Sequence, residues 1–188
     1  NNFTFGGSGS NRTVTVIPAA GQTGSTTITV AVSDGQLSAS NSFNLTVTGS
    51  LPGTKSFTNT TAIIVPDVSV ASPYPSTISV SGLGGAVSNV TVSLRSLNYQ
   101  WGRDLDVLLV SPGGQAMIVM SDAGTGPTAA NATLTFSNGA AAFLNQSNAL
   151  VGGIYKPTDY PPADVFLSPA PAGSYATNLT VFNGLAAN

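Results

Sequence analysis

Apolar and polar residues alternate in short runs along most of the chain, and turn-forming residues separate the runs. In STTITVAVS, Ile28, Val30 and Val32 stand against Thr and Ala, the period of two that marks a strand with one buried face. NSFNLTV repeats the pattern with Phe43, Leu45 and Val47, and RTVTV with Val14 and Val16. Asp34-Gly35 lies between the two longer runs, so SDGQLSAS reads as a loop leading into an antiparallel partner. GSLPGT, Gly49 to Thr54, carries both chain breakers and reads as a hinge.

Beyond the hinge the strand signals continue. KSFTNTTAIIVPD, STISVSG (Ile78, Val80), NVTVSLRSL (Val90, Val92, Leu94), DLDVLLV, QAMIVMS, ATLTF (Leu134, Phe136) and TNLTVF (Leu179, Val181) are candidate strands. DLDVLLV is apolar on both faces after Asp106, which predicts a central strand whose mouth alone meets solvent. NGAAAFLNQ is open between one helical turn and a loop. From Val151 to Ser174 the chain is rich in Pro and Tyr, and reads as a long ordered surface loop pinned by Ile154, Tyr155, Val165 and Phe166. Short strands separated by Gly and Pro predict an all-β fold of the sandwich or jelly-roll kind.

Composition narrows the chemistry. The 188 residues contain no His and no Cys, which removes Ser-His-Asp and Cys-His nucleophile systems and the usual zinc sites. All seven acids are Asp, and the five bases, Arg12, Lys55, Arg95, Arg103 and Lys156, are too scattered for a nucleic-acid footprint. Charged residues make up 6% of the chain against about 25% in ordinary soluble domains, so the polar surface must come from Ser, Thr, Asn and Gly. That surface suits a secreted wall, sheath or fibre protein better than a cytosolic enzyme. No apolar run is long enough to cross a membrane as a helix. The opening NNFTFGG has no signal-peptide pattern and reads as the interior of a longer sequence.

Two stretches carry a resemblance. FGGSGSNRTVTVIPAAGQTGSTTITVAVSDGQLSASNSFNLTV, about residues 3 to 47, resembles the C-terminal half of cadherin-like or immunoglobulin-like repeats, found in tandem in very large secreted bacterial proteins. ISVSGLGGAVSNVTVSLRSLNYQWGRDLDVLLVSPGGQAMIVMSDAG resembles the P-domain of subtilisin-like proprotein convertases in its free-standing bacterial form. GIYKPTDY, APAGSY and LTVFNG fit those variants too. The resemblance implies a partial immunoglobulin-like half sandwich over 1–48, a linker over 49–53 and a jelly-roll β-sandwich over 54–188. Both stretches stop short of their family patterns, the first lacking upstream strands and the second a closing hairpin. The closing strands are then expected either from a longer chain or, by strand donation, from neighbouring copies. The functions implied are a non-catalytic structural or adhesive module, a calcium- or carbohydrate-binding accessory module, or a protease-associated domain.

The chemistry centres on WGRDLDVLLVSPGGQ, where Asp104 and Asp106 stand two apart. On a strand they share a face, roughly 6.5–7 Å apart. Three readings are open. A glycosidase-type carboxylate pair is permitted by the spacing. A calcium site needs six to eight oxygens; Asp104, Asp106 and Asp122 of MSDAG supply the first, and the resemblance implies calcium as the cofactor. The third reading is a solvated strand end with Arg103 or Arg95 as surface ion partners. A Ser-Lys system finds no SxxK spacing around Lys55 or Lys156. Tyr99, Trp101, Tyr155 and Tyr160 are the candidate platform for polysaccharide, since rings with polar edges suit sugar contacts. The expected partners are therefore other copies of the chain, neighbouring domains of the same protein, or polysaccharide. Nucleic acid and membrane insertion are not expected. Of eight N-x-S/T matches, at Asn2, Asn11, Asn44, Asn59, Asn89, Asn131, Asn145 and Asn178, several fall in strand-like runs, so they indicate glycosylation only weakly.

Overall fold

A computed structural model describes residues 2–19, 22–47, 53–67 and 69–187. The chain is all-β, and among the described residues there are ten strands and no helix beyond two short 3-10 turns. It divides into two compact units. The first holds Asn1–Phe57, Val80–Ala86 and Ala186–Asn188; the second holds Thr58–Ser79 and Val87–Leu185. Most of the hinge predicted at Gly49 to Thr54 lies outside the described residues.

The first unit consists of two antiparallel ribbons. Strands β1 (Phe3–Ser8) and β2 (Asn11–Val16) form one, and β3 (Gly24–Ser33) and β4 (Ser38–Val47) the other. The alternation in the sequence gives each ribbon an apolar and a polar face. Phe3 pairs with Val16 and Phe5 with Val14 on one ribbon; Ile28 pairs with Phe43 and Thr26 with Leu45 on the other. The opposite face of the second ribbon is a ladder of cross-strand hydroxyl and amide bonds. Ser25 meets Thr46 at 2.9 Å, Thr27 donates to Asn44 at 2.9 Å, and Thr29 meets Ser42 at 2.8 Å. Asp34 closes the turn: its Oδ1 accepts the Gln36 and Leu37 N–H groups at 2.9 and 2.7 Å, which holds its carboxyl below the usual range.

The second unit owns the core. Strand β7 (Ala116–Ser121) is buried from Met117 onward and lies between β6 (Val107–Val110) and β10 (Thr158–Asp159). A second sheet has β8 (Ala132–Phe136) between β5 (Val92–Leu97) and β9 (Gly153–Tyr155). Leu105, Val119, Met120, Leu134, Phe136, Leu144 and Leu150 form the main cluster; Met117, Leu179 and Phe182 form a smaller one. In β8, Ala132, Leu134 and Phe136 are buried while Thr133 is exposed, as period two requires. In β5 the register with β8 shifts between Leu94 and Leu97, and Ser96 sits there at φ 55°, so Leu97 turns back to the core although its parity differs from Leu94.

Several expectations are corrected. The central strand is β7, QAMIVMS, and DLDVLLV supplies an edge strand, with Val110 exposed. TNLTVF forms a 3-10 turn over Leu179–Phe182, because Asn178 caps it by accepting the Thr180 N–H at 2.9 Å. The Pro-rich stretch is more than a loop: β9 and β10 join β8 and β7 in parallel, and Pro157 and Thr158 are buried. KSFTNTTAIIVPD and STISVSG contribute no regular strand, only an isolated bridge between Ile64 and Ser72.

The two units should therefore differ in mutational sensitivity. Phe136→Ala removes a fully buried ring and is expected to cost about 3–5 kcal/mol. Phe5→Ala, at a ring 74% exposed, should change the stability of the isolated chain by less than about 0.5 kcal/mol. Denaturant unfolding of both variants checks this, and equal losses would contradict the division.

Candidate functional site

The three-stranded sheet gathers acids at one end. Asp106 immediately precedes β6, and β6 runs antiparallel to β7 with Val107 opposite Met120. β10 runs parallel to β7, with Asp159 opposite Ser121. The start of β6 and the ends of β7 and β10 thus share a mouth, and Asp122, one residue past β7, turns the chain there at φ 50°. Asp164, on the loop after β10, accepts a hydrogen bond from the buried Ser121 hydroxyl. Four carboxyl groups, those of Asp106, Asp122, Asp159 and Asp164, interact at this mouth.

Burial is the first cause of their electrostatics. The Asp106 side chain reaches solvent, yet protein around its carboxyl displaces enough water to push its pKa up, and the Asp164 charge adds to the rise. Hydrogen bonds from Ser121 and the Asp122 backbone oppose it. Asp159 is raised in the same way, by burial and then by Asp164 and Asp122.

The sequence-predicted residues separate here. Asp106 and Asp122 belong to the mouth, whereas Asp104 ends the 3-10 turn Gly102–Asp104 and is exposed. Neither Asp104 nor Asp106 lies on a strand, so the shared-face spacing does not apply. The charge of Asp104 acts instead on Tyr99, whose hydroxyl is pushed up first by burial and then by Asp104 and Asp67. Asp159 and Asp164 were not legible as members of the mouth. They lie in the Pro-rich stretch, and only the parallel pairing of β10 with β7 brings them there.

The four aromatic residues of the expected sugar platform are placed differently from one another. Tyr99, Tyr155 and Tyr160 pack against the main core cluster. Tyr155 donates its hydroxyl to the Val151 carbonyl at 3.1 Å, and Tyr160 to that of Leu144 at 2.9 Å. Trp101 is 48% exposed and precedes the 3-10 turn. Beside the mouth, Phe143, Pro157, Thr158, Asp159, Tyr160 and Thr177 line a shallow depression of about 340 Å³. The Lys156 ammonium stands 5.2 Å from the Phe143 ring centroid.

The first unit has a larger concavity. Phe5, Val14, Val30, Val32 and Phe43 line a groove of about 620 Å³ between its ribbons, with Arg12 at the rim, donating to the Gly7 carbonyl at 3.0 Å. No described residue of this unit is fully buried.

As a calcium site the mouth has the right donor type, hard carboxylate oxygens. Among the described residues, however, no group of three or more acidic side chains is placed to hold a metal ion. No family model, curated protein or solved structure matches the chain.

The raised pKa values fix a sign for pH dependence. Folded Asp106 and Asp159 hold their protons more tightly than in the unfolded chain, so their contribution to stability falls as pH rises from about 3.9 through the raised folded values. Asp106→Asn should accordingly raise the thermal midpoint at pH 7 by about 2 °C and leave it unchanged at about pH 3. A midpoint lowered at pH 7 would contradict the repulsion.

Proposed function

We propose that the chain is a non-catalytic structural or adhesive module of a large secreted protein or extracellular fibre, and that its first unit is completed by β-strand addition. One observation carries this reading. The first unit presents two apolar ribbon faces around an open groove and has no fully buried described residue of its own. Exposed apolar area is unfavourable by roughly 25 cal/mol per Å², so a partner that covers the groove gains what the unit cannot gain alone. Free strand edges supply the backbone donors and acceptors that an added strand pairs with.

Composition supports the same reading. With 6% charged residues, the surface offers hydroxyls and amides in place of ions, which favours close packing in an extracellular assembly. The absence of His, Cys and Glu removes the commonest hydrolytic nucleophile and base systems, and the acids at the mouth are surrounded by other acids. The expected behaviour is concentration-dependent association: sedimentation velocity of the full chain should show species larger than a monomer. Binding of a hydrophobic dye should fall as they form. A monomer at every soluble concentration, with no dye binding, would contradict the reading.

A second reading is favoured by the acidic mouth itself. Mutual repulsion among Asp106, Asp122, Asp159 and Asp164 would be relieved by a divalent cation, and calcium accepts such oxygens in flexible geometry. Side-chain rotation would have to bring three of them together. Millimolar calcium should then raise the thermal midpoint more than magnesium does, and Asp164→Asn should abolish the difference. Equal traces with both ions would remove calcium from the account.

A further inference from the structure

Strand β3 lacks the devices by which natural proteins protect an exposed edge, namely charge, proline, a bulge or short length. It is ten residues long, contains no charge and no proline, and pairs with β4 over its whole length without a bulge. Among the described residues its other edge pairs with no strand. Its β-branched content (Thr26, Thr27, Ile28, Thr29, Val30 and Val32) favours the extended state.

We infer that the free edge of β3 pairs antiparallel with the β3 edge of a second copy of this chain, about a two-fold axis through Thr29. This rests on the strand-addition reading and names its partner. Register selects this pairing. Opposed residues in an antiparallel pair share a face, and a slip of one residue exchanges the faces. In a two-fold pairing of β3 with itself, polar meets polar only if some residue faces its own copy.

Three such registers are available near the strand centre. With Thr29 on the axis, nine residues pair in each copy: Ser25 with Ser33, Thr27 with Ala31, Thr26 with Val32, and Ile28 with Val30. The apolar face then matches apolar with apolar or threonine throughout. With Val30 on the axis, the pairing shortens to Thr27–Ser33, and one step further opposes Thr26 to Asp34, which the turn already uses. With Ile28 on the axis, Gly24, at φ 139°, faces Val32 and leaves that side chain without a cross-strand neighbour. The Thr29 register is the one that fills both faces.

β4 is the weaker edge for self-pairing, because Asn41 interrupts its apolar face among Ala39, Phe43 and Leu45. β1 and β2 are shorter and carry Gly6, Gly7 and Arg12. No charged residue lies on β3, so two copies meet without like-charge repulsion. The resulting four-stranded sheet, in the order β4-β3-β3-β4, continues the hydroxyl ladder on one side and the groove-lining apolar face on the other.

The chain has no cysteine, so single substitutions report cleanly. Thr29→Cys in the full chain should form an intermolecular disulfide under mild oxidation. Thr27→Cys and Ser25→Cys should not, since their copies would lie about 13 Å and about 26 Å apart along the strand. Thr29→Lys, which opposes two ammonium groups, should weaken association at least tenfold at low salt, and mixing it with Thr29→Asp should restore it. Association that persists while cross-linking moves to Ile28→Cys or Val30→Cys, or fails at all these positions, overturns this inference and leaves strand addition standing. A chain that never associates overturns both.

Discussion

A two-stranded ribbon has one apolar face and two open edges, and it cannot cover either by folding on itself. That constraint separates the two units of this chain. The second unit escapes it by stacking two three-stranded sheets whose central strands, β7 and β8, turn Met120, Leu134 and Phe136 into a common core. The first unit has two ribbons facing a groove and nothing described that fills it. Amphipathic alternation is as clear in the strands of the first unit as in β8, so the difference lies in how many strands share the apolar face.

The acidic mouth follows from topology in the second unit. Antiparallel β6 and parallel β10 both flank β7, so the beginning of one and the end of the other meet at the same place. Burial, and then the charges of Asp164 and Asp122, raise the cost of charging Asp106 and Asp159 there. A structure that depended only on core packing would have no use for this crowding. Among the described residues, four carboxylates meet here in a chain that otherwise carries little charge.

Local pattern was legible wherever it decided the structure. β2 to β4 follow from the alternation of Val14, Val16, Ile28, Val30, Phe43 and Leu45, and Asp34-Gly35 marks the turn between β3 and β4, whereas β1 was not among the candidate strands. β7 and β8 follow from QAMIVMS and ATLTF. What the pattern did not carry was which runs fail to become strands, as KSFTNTTAIIVPD, STISVSG and TNLTVF do, and order across the sheet. DLDVLLV and QAMIVMS are both apolar runs, and only long-range pairing makes β7 central and β6 an edge. The same limit hid Asp159 and Asp164: β10 is two residues long and gains its place from pairing with Met120 and Ser121. Asp104 was misplaced for a local reason, because the 3-10 turn at Gly102 breaks the strand period on which its pairing with Asp106 rested.

The account turns on whether the edges of the first unit are open in the isolated chain and covered in its assembled state. Amide hydrogen exchange across a dilution series of the full chain tests this directly. The account predicts that alternate amides of Gly24–Ser33 exchange rapidly in dilute solution and become protected as concentration rises, while Met117–Ser121 stay protected throughout. Protection of those β3 amides that is complete and independent of concentration would contradict it.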